Sequence, residues 1–215
     1  MRAKITSTQG SSAATLSAGM RITSPTYSRS PLVQRSLILD GTGVALTDPI
    51  IPGDPQRFSM PQWMIQCWYY PTNNAQTGAL IERITDTGLT NFALRVTNNV
   101  PVLQFSTPGG VQYTVDAGVA LPTQEWTQLT GLWNPETDRL TLQVNGVDYK
   151  SVSCFQNCAI GNGTVRLGVG VQGYLDNVFI RDAVESSRAS VVLVLDQSGS
   201  MSGQPLQDLK DTAKS

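Results

Sequence analysis

Nine consecutive residues, Trp63-Met-Ile-Gln-Cys-Trp-Tyr-Tyr-Pro71, constrain this chain more than any other stretch. At a strand's period of two, Trp63, Ile65, Cys67 and Tyr69 form one apolar row, and Met64, Gln66, Trp68 and Tyr70 form a second, more mixed row. A strand with large groups on both faces is either covered on both, or covered on one and free to present aromatics to a ligand on the other. Pro71 has no N–H to donate and stops the ladder.

The same short period recurs along the chain. Order is expected from Arg35 to Asp40, followed by a turn at Gly41-Thr-Gly43 and by Val44–Thr47; the Pro/Gly/Asp cluster from Asp48 to Pro55 is a loop. Gly78–Ile84 is a strand. Phe92, Leu94 and Val96 alternate with Ala93, Arg95 and Thr97, and Asn98-Asn99 turns the chain into Val102–Ser106. Val111–Val115 returns after Pro108-Gly-Gly110. Leu129, Gly131 and Trp133 share one face, Asn145-Gly146 is the strongest hairpin signal, and Val165–Gly170 and Gly173–Ile180 supply the last two strands. At least ten strands, with no 3.6-residue apolar period before residue 204, predict an all-β, two-sheet antiparallel jelly-roll sandwich.

Residues 1–34 are Ser/Thr-rich with few bulky apolars and are expected to be a tail or linker carrying one short strand near Met20–Thr23. The segment after Arg2 and Lys4 lacks the apolar run of a signal peptide, and no stretch approaches the roughly 20 apolar residues of a membrane-spanning helix. A net charge of −1 without a basic run argues against a nucleic-acid partner. The chain has no His, so Ser-His and Cys-His catalysis and His-ligated zinc lie outside its chemistry. Its four Glu (Glu82, Glu125, Glu136, Glu185) are far apart, so paired-carboxylate chemistry would rest mostly on Asp.

Three cysteines do not all pair. Cys154 and Cys158 bracket Phe155-Gln-Asn157, and either a disulfide closing this loop or two free thiols fit the spacing; a metal site would need two further ligands. Cys67 falls in the apolar row and reads as a small buried hydrophobe.

Six segments in order, Leu37–Gly41, Trp63–Pro71, Asn91–Val96, Leu121–Thr127, Val144–Val147 and Gly173–Val178, resemble the laminin G-like branch of the concanavalin A-like lectin/glucanase superfamily over about residues 35–184, within a sandwich domain expected over 35–187. The resemblance implies a jelly roll with its first and last strands side by side, which would bring Asp40 near Asp176. It also implies Ca²⁺ held by acidic residues on the rim. The alternative at these two positions is an Asx-type turn at Asp40 and backbone-amide bonding at Asp176. Glucan-hydrolysing members of the superfamily carry a Glu-x-Asp-x-x-Glu strand that is missing here, so the resemblance implies a binding module rather than an enzyme.

From Ala189 the pattern changes. The continuous apolar run Val191–Leu195, the loop Asp196-Gln-Ser-Gly-Ser200 and the helical pattern from Pro205 to Ala213 resemble the opening of a von Willebrand factor A domain. This assigns 188–215 to an incomplete α/β strand-helix piece. Asp196, Ser198 and Ser200 are the candidate Mg²⁺ ligands, functional only where the later Thr and Asp of such a domain are present.

The leading functional reading is a non-enzymatic recognition or adhesion module, extracellular or at the cell surface, that binds a glycan or protein. Trp68, Tyr70 and Trp133 are the candidate carbohydrate platform, with core packing as the alternative for all three. A structural spacer in a larger surface protein is the second reading, and a polysaccharide hydrolase using Asp86 or Asp116 is the third.

Overall fold

Alternating side chains punctuated by Asn, Gly and Pro resolve into strands joined mostly by tight turns. The computed structural model describes residues 2–7, 10–15, 22–23, 36–47, 56 and 58–182. They form thirteen strands: β1 (Arg2–Ser7), β2 (Gly10–Thr15), β3 (Ile22–Thr23), β4 (Ser36–Thr47), β5 (Trp63–Pro71), β6 (Gly78–Thr85), β7 (Thr90–Thr97), β8 (Val100–Ser106), β9 (Gln112–Asp116), β10 (Thr127–Asn134), β11 (Arg139–Val144), β12 (Val147–Ser153) and β13 (Gly163–Arg181). No helix occurs among the described residues.

Two layers share β13. Its first half pairs with β6, so that β9, β8, β7, β6 and β13 form one layer. Its second half pairs with β5, so that β12, β11, β10, β5 and β13 form the other. β4 runs antiparallel to β13 along both halves, which places the first strand of the sandwich beside the last, as the resemblance implies. The core lies between the layers. Trp63 of β5 meets Phe92 of β7 at 5.8 Å and Phe105 of β8 at 6.4 Å between ring centroids, and Trp133 of β10 meets Phe105 at 4.8 Å. Gly131 makes this approach feasible, because a Cβ there would lie 2.3 Å from the Leu103 side chain of the opposite layer.

The uniformly apolar row faces inward: Trp63, Ile65, Cys67 and Tyr69 have no exposed surface, while Met64, Gln66, Trp68 and Tyr70 are half-buried. The hairpin signals hold as well. Asn98 and Asn99 take φ of 50° and 63° between β7 and β8, and Asn145 and Gly146 take 52° and 79° between β11 and β12.

Three expectations differ. Asp40–Gly43 does not reverse the chain; Gly41 and Gly43 take positive φ inside one continuous strand, where the pairing with β13 shifts register. Residues 165–180, expected as two strands, are one strand of 19 residues that changes partner from β6 to β5. Part of the stretch expected as a tail is also in strands. β1 and β2 form a hairpin, β2 joins β4, and β3 at Ile22–Thr23 adds to β4 where a short strand was expected. Composition undercounts such strands because main-chain hydrogen bonds need no bulky side chain. The strand, loop and helix expected over 188–215, with Asp196, Ser198 and Ser200, lie outside the described residues.

Candidate functional site

The outer face of β10, β5 and β13 is laid out in rows by strand register. Tyr70 of β5 is opposite Tyr174 of β13, and Trp126, just before β10, stacks on the other side of the Tyr70 ring. The centroid distances are 5.6 Å to Tyr174 and 5.5 Å to Trp126, with interplanar angles of 70° and 55°. These are the tilted geometries that aromatic quadrupoles favour. The next row is Gln128–Trp68–Asp176. The third is Thr130–Gln66–Phe179, in which the Thr130 hydroxyl donates to Gln66 Oε1 at 3.2 Å. The fourth is Leu132–Met64–Arg181, where Arg181 Nε contacts Met64 Sδ at 3.0 Å and its guanidinium lies 5.5 Å from the Phe179 ring.

An aromatic row beside a row of amide, indole and carboxylate is chemically specific. Aromatic faces take up the C–H face of a sugar ring, and the polar row offers donors and acceptors for its hydroxyls. Burial pushes the Asp176 carboxyl up to about 6, opposed by a bond from the Asn177 amide to its Oδ1 at 2.7 Å. Ser36 of β4 keeps its Oγ buried and without a hydrogen-bond partner. The ladder continues the second row to it, since Leu175 pairs with Leu37 one position away.

Of the three aromatic residues expected at a platform, Trp68 and Tyr70 share this face and Trp133 does not. Trp133 pairs with Trp63 on the inward side, is fully buried, and donates Nε1–H to Pro61 O at 3.1 Å. Its position in β10 has the parity of Leu129 and Gly131, which the alternation already assigned to one face. Trp126 and Tyr174 were missed. Trp126 precedes its strand, and Tyr174 joins the cluster only through the pairing of β13 with β5, which no local pattern encodes.

Asp40 and Asp176 are not brought together. Asp40 pairs with Gln172, four positions along β13 from Asp176. Asp40 Oδ1 accepts from the Thr42 hydroxyl at 2.6 Å and the Thr42 amide at 2.9 Å, bonds that hold its carboxyl below the usual range. Two separated carboxylates, each tied to its own backbone, do not fit Ca²⁺, which takes six to eight oxygens. Among the described residues no three His, Cys, Asp or Glu side chains cluster for a metal. Cys154 and Cys158, expected as a bridge or as free thiols, are free. Their thiols turn to different carbonyls: Cys154 donates to Gln156 O at 3.3 Å, and Cys158 to Pro61 O at 3.3 Å. Burial pushes the Cys158 thiol up to about 12.

The family model described as concanavalin A-like lectin/glucanases superfamily, of laminin G type, matches residues 40–187. A comparison with curated protein sequences gives no match. Among solved structures, domain 4 of AbnA, a GH43 extracellular arabinanase from Geobacillus stearothermophilus in complex with arabinotriose, is similar with a TM-score of 0.60 and 18% identity over 80% of this chain and 82% of that one. The CBM40 of Ruminococcus gnavus IT-sialidase bound to α2,3 sialyllactose gives 0.52 and 18% over 66% and 88%. The receptor binding domain of botulinum neurotoxin D gives 0.53 and 10% over 82% of this chain and 48% of that chain. At these identities the likeness is one of fold.

Proposed function

The chain belongs to the concanavalin A-like lectin/glucanases superfamily, and from that premise we propose that it is a non-enzymatic recognition module whose β10–β5–β13 outer face binds a neutral glycan. The observation that carries this reading is the pair of adjacent rows, Trp126–Tyr70–Tyr174 and Gln128–Trp68–Asp176. The first row presents the half-buried rings of Tyr70 and Tyr174, with the buried Trp126 ring packed against Tyr70, and the second presents hydrogen-bonding groups two residues along the strands. Tyr70, Tyr174 and Trp68 are positioned by strands rather than loops, so little ordering entropy is lost on binding. Two of the similar structures hold an oligosaccharide, which supports a sugar as the ligand class.

The Glu-x-Asp-x-x-Glu strand of the superfamily's glucan hydrolases is missing from the sequence, which supports a binding rather than a hydrolytic role for this face. An extracellular or surface location is part of the proposal, since the similar arabinanase is an extracellular enzyme. So is the reading of Asp196, Ser198 and Ser200 as the opening of a Mg²⁺-dependent adhesion site, which rests on the sequence alone.

The test is a glycan array probed with the wild-type chain and with Trp68→Ala. Binding by the wild type that is lost in the variant, with thermal stability nearly unchanged, supports the platform. Equal binding by both, or none by the wild type, rejects it.

A further inference from the structure

The opposite layer carries a second polar feature that the platform does not use. On its outer face Glu82 of β6 is opposite Arg166 of β13, and Glu82 Oε1 lies 2.6 Å from Arg166 Nη2. Glu82 Oε2 also lies 3.5 Å from Arg95 Nη1 on β7. The Glu82 side chain is 3% exposed, while those of Arg95 and Arg166 are 35% and 48% exposed. One guanidinium neutralises a buried carboxylate. The second leaves a positive charge that must be met from the solvent side, and each guanidinium still has donors turned away from Glu82.

Arg166 lines an open cleft of about 450 Å³ at the end of the β6–β13 ladder, together with Ile84, Thr85, Asp86, Asn162 and Thr164. The cleft is built where the ladder ends: the Asp86 amide donates to Asn162 O at 2.7 Å, and Thr164 pairs with Ile84. The charge of Asp86 is felt by buried Arg83, which bonds Gly161 O. Glu82 carries one negative charge against the two guanidinium groups of Arg95 and Arg166, so the triad is left with a surplus positive charge. The cleft lining combines one half-exposed guanidinium with hydroxyls, an amide and a carboxylate, which are the partners of an anionic polyol.

We infer that this cleft binds a sugar acid, with the ligand carboxylate on Arg166 and its hydroxyls on Thr164, Asp86 and the side-chain N–H of Asn162, whose Oδ1 accepts from Gln56 Nε2. Glu82 holds the Arg166 side chain through Nη2, and the remaining N–H groups of the planar fork can donate bidentately to a carboxylate. Arg95 supplies the second positive charge and is a positioning residue. The site lies on a different layer from the aromatic platform and differs from it in ligand charge.

Calorimetric titration of the whole chain with trigalacturonate and with its fully methyl-esterified form tests the inference. The acid is expected to bind at least tenfold more tightly than the ester, and more weakly as salt rises. Arg166→Gln, which leaves Glu82 paired with Arg95, should lower the affinity for the acid at least tenfold. Thr164→Ala should lower it to a smaller extent, while Trp68→Ala should leave it unchanged. Equal binding of acid and ester, failure of both to bind, or full binding by Arg166→Gln overturns the inference. So does loss of acid binding in Trp68→Ala, which would move the site to the platform. Inorganic sulfate binding as tightly as trigalacturonate would mark a bare anion patch and also overturn it. Failure of the neutral-glycan array leaves this titration unaffected, so the two readings fall separately.

Discussion

Tyr174 of β13 stands directly across from Tyr70 of β5, their ring centroids 5.6 Å apart and their planes at 70°. These residues are 104 positions apart in sequence (174 − 70), and they meet because β13 leaves β6 and continues along β5. The partner change is what converts a strand with one unexplained aromatic row into a surface with two adjacent rows.

Trp68→Ala should cost less than about 1.5 kcal/mol of stability, because the side chain is half-buried on an outer face. It should weaken glycan binding at least tenfold. Chemical denaturation paired with a binding titration checks both numbers in one preparation.

Trp133→Ala should behave in the opposite way. This ring is fully buried against Phe105, and its N–H is satisfied by Pro61 O. Truncation leaves a cavity and should cost about 3–5 kcal/mol. Under conditions where the variant stays folded, glycan affinity should be retained.

Gly173→Ala should destabilise the chain by about 2–4 kcal/mol. Gly173 takes φ of 138°, and a Cβ there would lie 2.3 Å from Tyr70 O, a backbone atom that cannot swing aside. The substitution pushes β13 off β5 just beside Tyr174, so the Tyr70–Tyr174 contact should be lost as well. Thermal denaturation reports the first effect and near-ultraviolet circular dichroism the second.

Asp176 should make stability fall as pH rises from about 4 to about 6 and level off above that. Burial raises its carboxyl from the ordinary 3.8 to about 6, so in that window the folded chain binds more protons than the unfolded one. Solvent reaches this half-buried group, so the penalty above pH 6 is about 1 kcal/mol. Asp176→Asn should remove this slope and be the more stable protein at pH 7, with no difference near pH 4. Urea denaturation across this range decides it.

Dithiothreitol should leave the melting temperature unchanged, since Cys67, Cys154 and Cys158 are free. All three thiols are buried, so a thiol reagent should react slowly with the native chain and quickly in denaturant. A drop of several degrees on reduction would instead reveal a bridge.

Strand parity and turn chemistry were legible in the sequence. Alternation alone separates the row Trp63–Tyr69 from the row Met64–Tyr70, and Asn98-Asn99 and Asn145-Gly146 follow from the tolerance of Asn and Gly for positive φ. The continuity of β4 and β13 was not legible, because Gly41, Gly43, Gly168 and Gly170 carry turn-like residue chemistry but serve as bends inside long strands. For the site, parity placed Trp68 and Tyr70 on one face. The partners Trp126, Tyr174 and Asp176, and the separation of Asp40 from Asp176, depend on which strands pair and in what register. Those are properties of the assembled sandwich.

Amide chemical-shift mapping during titration with the tightest neutral oligosaccharide from the array tests the platform most directly. The shifts should cluster at Gln66, Trp68, Tyr70, Trp126, Gln128, Tyr174 and Asp176 across β10, β5 and β13. Shifts centred on β7, β8 and β9, or none at saturating sugar, would contradict it.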